Sequence, residues 1–207
     1  MRDAEGNEIG FDKLLLATGG APIRLPFGGE NILYYRDLQD YHRLRELSER
    51  GERFLVIGGG FIGSEIAAAL AMIGKQVTMV FLEEAIGALI YPPALAQFLN
   101  EYYRSKGVEV IPNDAVASVE RSGERLRART KNGRTLEVDG VVAGIGIRPN
   151  VELAQGAGLQ VENGIRVDDR LRTSHADIFA AGDVANFYHV GLARRTRVEH
   201  EDNAITM

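Results

Sequence analysis

The stretch RFLVIGGGFIGSEIAAALAMIGKQVTMVF, residues 53–81, decides how this chain folds. Phe54–Ile57 is a short aromatic and aliphatic run that stops on Gly58, Gly59 and Gly60. A helical run follows, closed by Gly74, and a second apolar run ends at Phe81. Three readings compete: a membrane span, a tight packing turn, and a phosphate cradle. Residues 54–74 approach spanning length, but they include Gly58, Gly59, Gly60 and Gly63, then Glu65, whose charge is expensive at bilayer depth. The glycines also sit where a β-type run meets a helical one. A water-exposed strand, turn and helix accounts for them better.

The neighbouring segments extend this pattern. PPALAQFLNEYYRSKG reads as a second crossover helix, with proline at its start and Gly107 at its end. Its apolar face reads as Leu95, Phe98, Leu99 and Tyr102. VEVIP is a third strand, and β-α-β-α-β within about sixty residues predicts a parallel sheet with helical crossovers. Upstream, RDLQDYHRLRELSERG predicts a helix from Leu38, Tyr41, Leu44 and Leu47, capped by Gly51. Downstream, residues 117–146 alternate apolar and polar positions around two turn signals, Ser122-Gly123 and Asn132-Gly133. They predict a three-stranded antiparallel β-meander leading into a buried strand, Gly140–Ile145. Lys13–Thr18 and the ADIFAAGD segment read as further buried strands, and the C-terminal residues as the opening turns of a helix. The fold class is therefore α/β, a Rossmann-like sheet plus a meander.

Composition narrows the chemistry. The 207 residues carry a formal net charge of −5 and no cysteine, which removes disulfides, redox cysteine pairs and thiolate metal sites. The four histidines lie too far apart in sequence for a metal-ligand spacing. Mild acidity with scattered basic residues argues against a nucleic-acid partner. Arg194, Arg195 and Arg197 form the one basic cluster, and it reads as a solvated loop. The polar opening MRDAEGNEIG has no signal-peptide layout, no membrane span is expected, and a cytoplasmic setting is.

The glycine spacing is Gly58-x-Gly60-x-x-Gly63, after a strand and opening a helix. In such a turn the first glycine allows the tight bend, the second lets a pyrophosphate approach the backbone, and the third lets helix pack on strand. The helix N-terminus offers N–H donors and a partial positive charge to the phosphates. An acid about twenty residues on takes the ribose hydroxyls in NAD sites. Here Phe81 holds that position, and Glu83 and Glu84 follow. A carboxylate repels a 2′-phosphate, and no Arg or Lys stands just beyond the strand. NAD(H) is therefore expected over NADP(H), with Glu83 on the adenosine ribose.

Three further segments surround the loop: FDKLLLATGGAP (11–22), VVAGIGIRPNVELA (141–154) and DIFAAGDVANF (177–187). In this order they resemble the flavoprotein reductases with two dinucleotide-binding domains, of pyridine-nucleotide-disulfide-oxidoreductase type. VIGGGFIGSEIAAALA, VFLEE, SKGVEVIPN and RRTRVEHEDNA are most similar to the apoptosis-inducing-factor and ferredoxin-reductase branch. The resemblance implies FAD in one domain, NAD(P)H in a second inserted into it, and hydride transfer between stacked rings. It implies that Gly58, Gly60, Phe61, Ile62 and Gly63 hold the NAD pyrophosphate. Gly144, Ile145 and Gly146 would line the nicotinamide side. Thr18, Gly19, Arg36 and Asp183 match flavin-side positions, and Glu199 and His200 the flavin–nicotinamide contact. The helix starting there would aim its positive end at the flavin. No residue is expected to serve as nucleophile or general base.

The same resemblance divides the chain into residues 1–35, the end of an FAD-binding domain and linker; 36–150, an NAD-binding domain; and 151–207, a return to the FAD-binding domain. The family's own FAD glycine loop and its third domain do not occur in this sequence. The expectation is a portion of a longer flavoprotein, inactive alone and weak or devoid of FAD binding. The longer protein is expected to pass hydride from NADH to FAD and electrons to a ferredoxin- or rubredoxin-type acceptor, with a homodimer as its assembly. An NAD(H)-responsive sensor of apoptosis-inducing-factor type is the alternative. A disulfide reductase stays open for the longer protein, though a cysteine pair within this NAD-binding part is excluded.

Overall fold

The structure, a computed structural model, describes residues 2–207. It forms two compact units, one spanning Pro22–Gly146 and the other joining the stretch up to Ala21 to Ile147–Met207. In chain order the elements begin with β1 (Leu14–Leu16), β2 (Gly20–Pro22), α1 (Leu38–Arg50), β3 (Arg53–Ile57), α2 (Phe61–Met72) and β4 (Gln76–Val80). They continue with α3 (Pro93–Ser105), β5 (Glu109–Ile111), β6 (Val116–Ser122), β7 (Arg125–Thr130), β8 (Thr135–Val138) and β9 (Gly140–Ala143). The last are β10 (Ile147–Pro149), α4 (Glu152–Gly156), β11 (Ile165–Arg166), β12 (Ile178–Ala180), β13 (Ala185–His189), β14 (Arg194–Thr196) and α5 (Glu201–Thr206).

In the unit Pro22–Gly146 the strands run in the order β5-β4-β3-β9, all parallel. A parallel sheet is covered on both faces, so its strands must be apolar at every position. β3 meets this: Phe54, Leu55, Val56 and Ile57 are all buried. Their alternation assigns the layers. Phe54 and Val56 pack with Leu44, Ile66, Leu70 and Ile86 on the helical side. Leu55 and Ile57 pack with Val119, Leu126 and Val138 of the meander β6-β7-β8 on the other. The meander's two turns place Gly123 and Gly133 at φ 64° and 85°, the left-handed geometry the turn signals require.

The two amphipathic helices differ from their sequence reading. In α1, Leu44 is buried and Leu47 packs on the core, but Leu38 and Tyr41 are exposed. A strict three-residue repeat advances 300° per step, so its four members wind half-way round the helix. Gly51 follows α1 in extended conformation at φ −101° rather than as a left-handed cap. It makes room: a Cβ there would stand 2.6 Å from Cβ of Asp139. In α3 the packed face is Ala96, Leu99, Asn100 and Tyr103, one residue on from the expected stripe. Leu95, Phe98 and Tyr102 are exposed; Phe98 and Tyr102 stack with centroids 6.0 Å apart, and Lys106 lies over Tyr102. The small Ala96 lets the helix approach the sheet, and Tyr103 donates from its hydroxyl to the Ser64 carbonyl of α2. Burial pushes the Tyr103 phenol up, which keeps it protonated as that donor.

In the second unit β1 pairs in parallel with β12, and β11-β13-β14 form another sheet over a core of Leu16, Ile165, Val167, Ile178, Ala180 and Val184. β1 is shorter than the expected buried strand, and Leu15 at its centre is 58% exposed because the core covers one face only. The arginine cluster is not simply solvated. Arg195 donates to the carbonyls of Val167 and Asn186, and the Arg197 side chain is 7% exposed. Only Arg194 is exposed, and it too lies on a strand, β14. Among the described residues no helix is long and apolar enough to cross a membrane.

Asp139 ties the start of β3 to the strand beside it. Its carboxylate accepts from the N–H groups of Glu52 and Arg53 and pairs with Arg125 at 3.3 Å. Burial alone would raise its pKa, but those N–H donors and the Arg125 charge outweigh burial and hold it below the usual carboxylate range. A depressed folded-state pKa adds stability that is complete above the unfolded-state value and is lost as pH falls through the folded-state one. Urea unfolding of the native chain and Asp139→Ala should therefore differ by about 1–3 kcal/mol at pH 7. The difference should shrink as the buffer is taken below about pH 4.

Candidate dinucleotide-binding site

The glycine loop lies between β3 and α2, at the carboxyl end of the parallel sheet. Gly58 sits at φ +109°, and a Cβ on it would stand 2.3 Å from the Gly144 carbonyl oxygen. A Cβ on Gly63 would stand 2.1 Å from the Gly58 carbonyl oxygen. One on Gly144 would meet the Gly63 nitrogen at 2.8 Å and Cβ of Ile62 at 3.1 Å. The three glycines thus form one knot in which backbone packs directly on backbone. Gly60 is different. Nothing lies within 4 Å of where its Cβ would be, and it is the N-cap of α2 without any side-chain cap. No acidic residue stands in the first turn of that helix. Gly58 and Gly63 close the knot with Gly144, and Gly60 leaves an approach open beside a twelve-residue helix N-terminus. That shape fits a pyrophosphate lying along the backbone.

The structure brings Gly58, Ile62, Gly63, Gly144 and Ile145 into this knot; Ile145 Cγ2 lies 3.4 Å from the position of a Gly58 Cβ. Phe61 and Ile62 are exposed at the loop's mouth. Gly146 takes φ +102°, so its glycine answers a backbone requirement, and its carbonyl accepts from the Ile23 N–H. Phe81 is 3% exposed, and its ring lies 3.0 Å from where a Gly59 Cβ would be. It serves as packing beneath the loop, so the acids follow on the surface: Glu83 half-buried, Glu84 exposed. The Gly87 N–H donates to the Gly59 carbonyl at 2.8 Å, which joins the acidic segment to the glycine loop.

The flavin-side expectations fall mostly in the second unit. β1 and β12 run parallel, so Thr18-Gly19 and Gly182-Asp183 leave the pair at the same end. Thr18 donates from its hydroxyl to the Asn150 carbonyl, and the Asn150 amide donates back to the Thr18 carbonyl. Gly19 takes φ +62°. Arg197 donates to the Asp183 carbonyl at 3.0 Å and pairs with Glu199 at 2.5 Å, so it binds two of the expected positions together. The His200 ring Nδ1 accepts from the Asp202 N–H and caps α5. That helix has six residues and carries Glu201 and Asp202 in its first turn. Arg36 belongs to the unit Pro22–Gly146, where it is exposed just before α1 and its N–H donates to Asp40. Among the described residues no group of His, Asp and Glu is arranged to hold a metal.

Sequence reasoning missed Asn100, Asn150 and Arg197. Asn100 was hidden by the choice of the wrong helix face. Arg197 was hidden because a buried arginine reads in sequence like any surface one. Asn150 carries no pattern of its own.

The family model of the pyridine nucleotide-disulphide oxidoreductases matches residues 1–207. Peroxisomal monodehydroascorbate reductase 4 of Arabidopsis thaliana is 39% identical over 214 residues, covering 99% of this chain and 44% of that protein. Putidaredoxin reductase CamA of Pseudomonas putida is 34% identical over 211 residues, covering 98% and 50%. The crystal structure of a covalent putidaredoxin reductase–putidaredoxin complex superposes with a TM-score of 0.92 at 34% identity, over 98% of this chain and 51% of that one. The chain thus spans about half the length of the curated relatives it matches. A single α/β unit with the glycine knot, a meander on the far face of its sheet, and a family model matched from end to end agree: the chain belongs to the pyridine nucleotide-disulphide oxidoreductase family.

Proposed function

We propose that the unit Pro22–Gly146 holds NAD(H) on the Gly58–Gly63 loop, and that the chain serves an NADH-dependent flavoprotein oxidoreductase whose FAD lies against the second unit. The observation that carries this reading is the contrast between Gly60, open on its Cβ side, and Gly58 and Gly63, closed against backbone. A packing turn alone needs the closed pair; it does not need the open glycine at an uncapped helix start.

Each residue then has a task. Gly60 and the first turn of α2 bind the pyrophosphate and offset its charge. Glu83 accepts from the adenosine ribose hydroxyls and disfavours a 2′-phosphate. Gly144 and Ile145, within the knot, border the nicotinamide end, where positioning rather than proton chemistry sets the rate. Thr18, Gly19, Asp183, Glu199 and His200 of the second unit orient the flavin. Bound together, the two cofactors supply hydride transfer followed by electron release to a partner. The relative solved in covalent complex with putidaredoxin supports a ferredoxin-type protein as that partner.

Two substitutions separate cradle from packing turn. Gly60→Val, placed at φ −80° where valine is at ease, should leave thermal stability nearly unchanged and weaken NADH binding by about tenfold or more. Gly63→Ala should instead lower stability by about 1–3 kcal/mol, since the new methyl overlaps backbone. Calorimetric titration should give tighter binding of NADH than of NADPH, and Glu83→Gln should narrow that gap. Absence of any NADH binding would return the loop to a packing role, and equal affinities would remove Glu83 from the site.

A further inference from the structure

The acid that selects the ribose, Glu83, stands three residues beyond the end of β4, on a loop rather than at the strand terminus. A loop carboxylate discriminates between nucleotides only if its backbone is held. The segment after Phe81 is held from two sides. On one, the Asn113 N–H donates to the Glu83 carbonyl at 3.0 Å and the Asp114 N–H to the Phe81 carbonyl at 3.1 Å. On the other stands Asn100, a side chain from the middle of α3 that is 2% exposed. Its amide oxygen accepts from the Ile86 N–H at 3.0 Å, and its amide nitrogen donates to the Glu84 carbonyl at 3.0 Å.

An asparagine is a poor choice for the buried face of a helix. It is neutral to unfavourable in the interior, and its amide is costly to bury unless bonded. Here both ends of the amide are used on the backbone of one loop, at positions flanking Ala85, which is itself buried. The same loop is tied to the glycine turn through Gly87 and Gly59. Asn100 therefore reaches the ribose end of the site through three residues of backbone, without touching a ligand.

We propose that Asn100 is a positioning residue for dinucleotide selection: its amide clasps residues 84 and 86, and so fixes where Glu83 presents its carboxylate. The inference rests on the NAD(H) reading above. Asn100→Leu, close in shape and apolar, strips the buried Ile86 N–H and the part-buried Glu84 carbonyl of their partner, and the loop must relax to satisfy them. Asn100→Asp keeps the acceptor for Ile86 and removes the donor to Glu84.

The test is a titration of the full chain, and of Asn100→Leu, Asn100→Asp, Glu83→Gln and the Glu83→Gln/Asn100→Leu double variant, with NADH and with NADPH. The quantity read is the ratio of the two affinities, because a general loss of fold weakens both and leaves the ratio alone. Asn100→Leu should cut the NADH preference by roughly tenfold, and Asn100→Asp by less. On the Glu83→Gln background the leucine should change the ratio no further, since it acts through Glu83. Hydrogen exchange at the Ile86 amide should accelerate in Asn100→Leu; should that variant fail to fold, Asn100→Asp carries the same comparison. A native preference for NADH that survives in both Asn100 variants overturns the inference and leaves the NAD(H) reading standing. Additive effects of Glu83 and Asn100 on the ratio overturn it too. A native chain that binds neither nucleotide sinks the NAD(H) reading, and this inference falls with it.

Discussion

At its first turn the helix α2 meets the sheet backbone to backbone. Between Gly63 and the Gly58 carbonyl, and between Gly58 and the Gly144 carbonyl, no space remains for a methyl group. That approach brings the first turn of α2 against the carboxyl ends of β3 and β9, and it is possible only because Gly58 and Gly63 of one loop and the distant Gly144 all lack a side chain. The rest of the unit is organised around it. β3 must be apolar on both faces because helices lie on one side and the meander on the other. Gly60, one turn away, is the position where the same economy of side chain faces outward.

The acidic segment shows how one residue type displaces another. Phe81 fills the space beneath Gly59, at the position where NAD sites in general carry the acid, and the carboxylates stand two and three residues further along the chain. A loop so displaced needs its own supports, and it has them in Asn113, Asn100 and the Gly87–Gly59 bond. Packing beneath the loop and hydrogen bonding around it are parts of one arrangement.

The second unit makes a similar use of a buried cation. Arg197 spans from the Asp183 carbonyl to the Glu199 carboxylate, and its stem lies 3.0 Å from where a Gly164 Cβ would stand, so that glycine, at φ +117°, admits it. Arginine suits this role because its guanidinium has donors in several directions and stays charged when buried. A lysine ammonium also has several donors, but they radiate from one atom and lack the planar fork that reaches separated partners.

Much of this was legible beforehand. Gly58-x-Gly60-x-x-Gly63 between a β-type and a helical run specifies strand, turn and helix by local geometry, and the alternation from residue 117 onward specifies the meander by its period of two. These are short-range consequences of backbone sterics and side-chain spacing, so the sequence alone determined the α/β class, the glycine loop and the displaced acid. Which face of α3 is buried was not legible: the stripe of Leu95, Phe98 and Tyr102 is the more apolar, yet Ala96, Asn100 and Tyr103 face inward. Hydropathy ranks faces by transfer from water, whereas the fold chose the face that lets a helix approach closely and satisfies the buried polar groups of a loop and of α2. The exposed Leu15 and the buried Arg197 were decided in the same way. Each depends on what another segment brings to the contact, and that is settled only when the chain is assembled.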